Sequence, residues 1–248
     1  VRSPPAFNNL IGVRPTRGLV SRTGIVPLSE TQDTAGPITR TVADAARMLD
    51  VMAGYDPEDP VTAMGVGRVP EDGYVAHLDE DGLDGARIGV VRALFGLQDE
   101  GSAPEAEAEN VTAVVDAAID EMEDAGATVV DPVEIIDLEY LRSARVLGYE
   151  FRRDFDRYLE GCGGAVPYAT LAEVVDSGLV TPSVQSRFED GEILDVDVGD
   201  LDQNPDYLQR LERRRQIEVD TVRRMVDHDL DALCYPPSTI PPVEIPDN

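Results

Sequence analysis

The sequence predicts an α/β fold, and three observations in its middle third predict it. RIGVV at 87–91 is a short apolar run of the kind a buried strand requires. A helical stretch with apolar residues every three to four positions follows, and ATVV at 127–130 supplies a second run. Strand, helix and strand at this spacing make a βαβ crossover, which sets two strands parallel in a sheet with helices packed on its faces.

The elements follow in order. Residues 1–40 carry Pro4, Pro5, Gly12, Pro15, Gly18, Gly24, Pro27, Gly36 and Pro37, so regular structure is broken repeatedly and short strands joined by tight turns are expected. Thr41 caps the first helix with Asp44 three residues on, Val42, Ala45, Leu49 and Met52 form its apolar stripe, and Gly54 stops it. The acidic stretch from Glu105 to Glu109 opens a second helix with Val111, Val114, Val115, Ala118, Ile119 and Met122 inward, ended by Gly126. Leu147, Phe151, Phe155 and Tyr158 recur at helical spacing, and Thr170 with Glu173 makes another capping box. Pro205 after Asn204 opens a long helix carrying Leu208, Leu211, Val219, Val222 and Val226, which runs into DALCYPP at 231–237, a short strand broken by proline. EDGEILDVDVGDLD at 189–202 reads as a polar surface loop or insert. No internal repeat is visible.

Charge narrows the function classes. Asp plus Glu number 49 against 21 basic residues, for a formal net charge of −28, and every basic residue is arginine. Self-repulsion on this scale is screened in molar salt, where the Debye length is about 3 Å, so adaptation to a salt-rich cytoplasm is expected. Without a basic stripe, nucleic-acid binding is disfavoured. No run of about 18 apolar residues and no secretory leader appear, so a soluble intracellular protein without a membrane span is expected. Cys162 and Cys234 are far apart and lack metal-ligand spacing, which marks them as reduced structural thiols.

Other candidate groups have bland readings. His77 and His228 stand without a second ligand, so they are expected to be surface histidines and no metal site is expected. Cys162 in GCGG has no histidine partner and reads as a loop thiol. Glu58 and Asp59 fit a turn after Gly54. RIGVVRALFG lacks a dinucleotide-binding glycine pattern, and no cofactor is expected.

The first sixty residues resemble the amidase signature family. Val1, Arg2, Ser3 and Pro4 fit the end of its defining stretch, which runs Gly-Gly-Ser, an aliphatic residue, Arg, any residue, Pro. GVRPTRGLVSRTG at 12–24, DTAGP at 33–37, RTVADAARML at 40–49 and AGYDPEDP at 53–60 continue the likeness in the family's order. LDGARIGVV at 83–91, GATVV at 126–130 and DALCYPP at 231–237 resemble later strands, while Pro5 departs from the small residue usual there.

The resemblance implies part of the amidase-signature fold, a mixed sheet flanked by helices on both faces and truncated at both ends. It implies one partial domain over 1–248: a Gly/Pro-rich segment and first helix at 1–60, a βαβ unit at 83–131, and a helical region leading to a late strand at 139–237. The implied chemistry is hydrolysis of a small-molecule carboxylic amide to carboxylate and ammonia by a Ser, cis-Ser and Lys triad through an acyl-enzyme, with backbone N–H groups holding the oxyanion. That triad maps ahead of Val1. With no lysine in the sequence and Ser3 in the variable position, no catalytic residue is assigned within it, and the isolated polypeptide is expected to be inactive. Arg2 and Asp33 are the candidate site scaffold, an ion pair bracing the nucleophile loop, because a buried guanidinium needs a carboxylate. Two alternatives accompany the amidase: the amidotransferase subunit that supplies ammonia for mischarged glutamyl-tRNA, which reads Asp-Gln-x-Gly-Pro where this chain has DTAGP, and a non-catalytic remnant. Implied partners are the amide substrate and either a second copy or an upstream fragment carrying the catalytic residues.

Overall fold

Most of the sequence-predicted elements form, and three corrections come from where apolar side chains settle. The computed structural model describes residues 2–96, 105–135, 137–190, 193–195, 199 and 201–242. Val1, used above for the resemblance, and the tail from 243 onward lie outside the described residues. In chain order the helices and strands are α1 (Ser3–Phe7), β1 (Ile11–Gly12), β2 (Ile38–Thr39), α2 (Val42–Met52), β3 (Arg87–Val90), α3 (Glu105–Asp124), β4 (Thr128–Val130), α4 (Leu138–Ser143), α5 (Leu147–Gly161), α6 (Leu171–Asp176), α7 (Pro182–Asp190), α8 (Pro205–Asp227) and β5 (Ala232–Cys234). They fall into two compact units: Val1–Ser21, Thr34–Ile136 and Val219–Asn248 form the first, and Arg22–Asp33 with Asp137–Glu218 the second.

The first unit is built on the expected crossover. β3 is the central strand of the order β4-β3-β5 and pairs in parallel with both neighbours, Ile88 facing Val129 on one side and Ala232 on the other. A central parallel strand is covered on both faces, which is why Ile88, Gly89 and Val90 are all buried. At Gly89 a Cβ would come within 2.6 Å of Leu230 Cδ1, so the absent side chain lets Leu230 pack onto the sheet. Val91, Val133, Ile135 and Leu230 form the adjoining core.

α3 buries Ala108 and Ile119 as the pattern requires, but Val114 is 70% exposed, so the inward stripe is narrower than predicted. The same unit holds the antiparallel pair β1-β2, with Ile11 opposite Thr39. Gly36 of DTAGP sits beside it: a Cβ there would lie 1.9 Å from the Val13 carbonyl oxygen, while Val13 N–H donates to the Pro37 carbonyl at 3.0 Å. Only glycine permits that approach. Thr41 Oγ1 accepts from Asp44 N–H at 3.1 Å, as the capping box predicts. α2 buries Ala45, Ala46 and Leu49 while Val42 is exposed, so its buried face is rotated by one position. α1 is an element the sequence reading lacks; Pro4 and Pro5 occupy its first turn, where a missing N–H costs nothing.

The second unit is helical, with two apolar clusters. Val146, Leu201 and Tyr207 form one, and Phe151, Leu171 and Val175 the other, with Phe155, Phe188, Ile193 and Leu194 packed around the second. Thr170 Oγ1 accepts from Glu173 N–H at 3.2 Å, and Glu173 closes the turn by accepting from Ala169 N–H at 2.7 Å. The expected polar loop at 189–202 is corrected in part. Residues 191, 192, 196–198 and 200 lie outside the described residues, but Ile193 and Leu194 pack on the aromatic cluster and Leu201 is buried. Sparse apolar anchors in an acidic stretch are enough to bring it down onto the helices. No helix among the described residues is long and apolar enough to cross a membrane.

Candidate functional site

The site is assembled from the turn that ends in Asp33, the one predicted scaffold residue that lies in the second unit. Asp33 Oδ2 accepts two backbone N–H groups, from Leu28 at 2.7 Å and Ser29 at 2.8 Å, closing the turn from within. The turn is then fixed to α5. Ser29 is almost fully buried, and its hydroxyl donates to Glu150 Oε2; Thr31 reaches the same oxygen through Oγ1 at 2.9 Å and its N–H at 3.3 Å. Glu30 N–H donates to Asp154 Oδ2 at 2.6 Å. α8 contributes Tyr207, whose hydroxyl donates to Glu150 Oε1 at 2.7 Å, and Arg214, which donates to Gln32 Oε1 at 3.0 Å.

Electrostatics explain why these side chains tolerate burial. Glu150, Arg153 and Asp154 are 0%, 7% and 6% exposed, and unpaired charges at that depth would be strongly unfavourable. Arg153 lies between carboxylates, with Nε 2.7 Å from Asp154 Oδ1 and Nη2 3.2 Å from Glu30 Oε2. Burial opposes its charge, yet hydrogen bonds to Asp154 and Tyr207 hold the guanidinium above its ordinary value. Burial pushes the Asp154 carboxyl up, with Arg153 and the Glu30 N–H working against that rise. Tyr207 is pushed up to about 12 by burial and by its bond to Glu150. Glu150 sits in the first turn of α5, where the helix N-terminus favours negative charge.

Sequence reasoning missed Glu150, Arg153 and Asp154. The signal was present, because positions 150, 153, 154 and 157 in YEFRRDFDR recur at helical spacing and form one charged stripe. Such a stripe ordinarily faces solvent, and only the partner loop, about 120 positions earlier in the chain, shows that this one is buried.

The other predicted scaffold residue, Arg2, belongs to the first unit. It precedes α1, is exposed, and lines a cavity of about 450 Å³ with Leu83, Ile88, Met122, Leu233 and Cys234. Ser3 is exposed in the first turn of α1. His77 contacts Asp72 at 3.2 Å with both side chains largely in solvent, and His228 is exposed, as expected of surface histidines. Cys162 and Cys234 are free thiols, and burial raises Cys234. Glu58 N–H donates to Asp56 Oδ1 and Asp59 lies in the same turn, which bears out the turn reading. Among the described residues no group of three His, Cys, Asp or Glu side chains could hold a metal ion.

A βαβ-based α/β fold with these motifs in this order defines an amidase-signature protein. The chain belongs to the amidase family, whose model, described as Amidase, matches residues 1–248. It is 44% identical over 99 residues to a probable amidase of Arabidopsis thaliana, covering 40% of this chain and 19% of that protein. It is 42% identical over 132 residues to a glutamyl-tRNA(Gln) amidotransferase subunit of an Anaeromyxobacter species, covering 53% and 24%. Among solved structures, the native peptide amidase from Stenotrophomonas maltophilia superposes with a TM-score of 0.69 at 30% identity, over 95% of this chain and 48% of that one. An amidase family protein from Bacillus anthracis gives 0.64 at 28% identity, over 94% and 44%. The chain thus spans a fifth to a quarter of the curated relatives' length in those matches and about half that of the solved structures.

Proposed function

We propose that these residues are the scaffold portion of an amidase that hydrolyses a small-molecule carboxylic amide to carboxylate and ammonia, acting on carbon–nitrogen bonds other than peptide bonds. The observation that carries this reading is the family match along the whole chain, with a peptide amidase among its structural neighbours. Both compact units are proposed to be parts of one amidase domain. The base of the family's triad cannot come from these residues, which include no lysine, and the serine it activates maps ahead of Val1. Arg2 and Asp33 are proposed to pair and brace the nucleophile loop, since both fall on family-matching positions; an experimental structure with their side chains more than about 4 Å apart overturns that pairing. A second copy, or a segment bearing the catalytic residues, is the proposed protein partner. The acidic, lysine-free composition supports action in a salt-rich cytoplasm.

Ammonia release from simple amides in molar KCl tests the proposal. The 248-residue polypeptide is expected to release none. A product of the same gene that carries the family's lysine and Gly-Gly-Ser ahead of Val1 is expected to release it, with loss of activity on treatment with a serine-directed phosphonate. Phosphonate-sensitive release by the 248-residue polypeptide overturns the scaffold reading. The amidotransferase reading draws on the 42% identity over 132 residues. Thr34 favours the free-standing enzyme, because it stands where that subunit reads Gln. Release that requires further subunits would reverse the order of the two.

A further inference from the structure

We infer that Glu150 is a positioning residue: its carboxylate, through Ser29 and Thr31, fixes the turn that presents Asp33. The inference rests on the amidase reading only for what Asp33 serves; the latch itself stands on geometry. Two carboxylates hold Ser29, its N–H donating to Asp33 Oδ2 at 2.8 Å and its O–H to Glu150 Oε2. Gln32 Nε2 donates to Ser29 Oγ at 2.8 Å, and Arg214 holds Gln32 in turn. Ser29 is thus the point at which the turn's internal closure by Asp33 meets its anchorage to α5.

Four donors converge on the Glu150 carboxylate: the hydroxyls of Ser29, Thr31 and Tyr207 and the N–H of Thr31. A carboxylate suits that set because it is acceptor-only, whereas an amide of the same shape would turn an NH₂ group toward donors. The cost of burying the charge is met where three of those four donors come from residues 29–31, so the side chain's hydrogen-bonding capacity is directed mainly at the turn.

The test is backbone hydrogen exchange on the 248-residue protein in molar KCl, read at Glu30 and Thr31 and, as the internal reference, at α5 and β3. Glu150→Gln keeps the side-chain volume and is expected to speed exchange at Glu30 and Thr31 by about tenfold or more while leaving β3 unchanged. Thr31→Val is expected to speed exchange at Glu30 in the parent protein but to add little in the Glu150→Gln background, because the acceptor is already lost. The Thr31→Val comparison separates the acceptor from packing, because a merely structural Glu150 would give additive effects in the two variants. Unchanged exchange at Glu30 and Thr31 in Glu150→Gln overturns the inference. So does a uniform loss of protection across α5, β3 and the turn, or a fully additive effect of Thr31→Val in the Glu150→Gln background. None of these outcomes bears on ammonia release, so the latch and the amidase reading fail separately.

Discussion

Arg92 and Asp131 show what single residues contribute at the carboxyl end of the parallel sheet. Arg92 follows β3 and Asp131 follows β4, and Arg92 Nε lies 2.8 Å and 3.0 Å from the two Asp131 oxygens, so one charged pair ties together the ends of neighbouring strands. The guanidinium also reaches Asp116 of α3 and lies 4.6 Å from the centre of the Phe95 ring. The hydrogen bond from Arg92 holds the Asp131 carboxyl below its ordinary value, so the folded state releases this proton more readily than the unfolded chain. The stabilisation is therefore complete above the unfolded carboxylate value of about 3.9 and is lost as pH falls through the lower folded value. Both side chains are partly open to solvent, which limits the pair to about 0.5–1 kcal/mol. Asp131→Asn is expected to lower stability by that amount at pH 7 and by nothing measurable at the acid end, read from denaturant midpoints of both proteins across the acid range. A deficit of constant size at every pH would show that the carboxylate matters through shape alone.

At the scale of elements, caps and periodicity were legible in the sequence because they depend on residues close in the chain. Thr41 and Thr170 cap where their side chains predicted, and at the head of α8, where Pro205 marked the start, Asn204 Oδ1 accepts from Asp206 N–H at 3.0 Å and Tyr207 N–H at 3.1 Å. β3, β4 and β5 were likewise visible, since short apolar runs between glycines and prolines leave few alternatives. What could not be read was which face of a helix is covered. α8 carries Val219, Val222 and Val226 on one side and exposes them by 51%, 55% and 74%, while Met225 packs against the sheet-side core. Periodicity finds a stripe but not its partner. For the same reason Glu150 was invisible: its burial depends on a turn far away in sequence. Asn204→Ala removes two N-terminal acceptor bonds and is expected to destabilise the protein by about 1 kcal/mol. Because Tyr207 stands one turn inside that cap and donates to Glu150, the same variant should also speed exchange at Thr31, whereas capping losses at Thr41 should leave Thr31 untouched.

For the molecule as a whole, charge is the strongest influence on stability outside the cores. With 49 acidic residues against 21 arginines, each cation is outnumbered more than two to one, so most charged neighbours on the surface carry the same sign. In 0.1 M salt the Debye length of about 10 Å spans several such neighbours, and at 1 M it shrinks to about 3 Å, below the spacing of most surface charges. Repulsion therefore opposes the folded state in dilute buffer far more than in concentrated salt, since unfolding moves the charges apart. The thermal midpoint is expected to rise steeply between 0.1 M and 1 M KCl and to level off above it, as screening becomes complete. NaCl at equal ionic strength should do the same, because screening depends on ionic strength and not on the identity of the cation. Replacing exposed carboxylates of α3, such as Glu105 and Glu121, by glutamine should raise the midpoint at low salt and leave the high-salt plateau where it was. Circular dichroism melts across the KCl series decide the matter: a flat or falling midpoint means that burial alone governs stability and that the acidic surface has another purpose. A rise that continues without limit in KCl would point instead to salt-strengthened burial of the apolar cores.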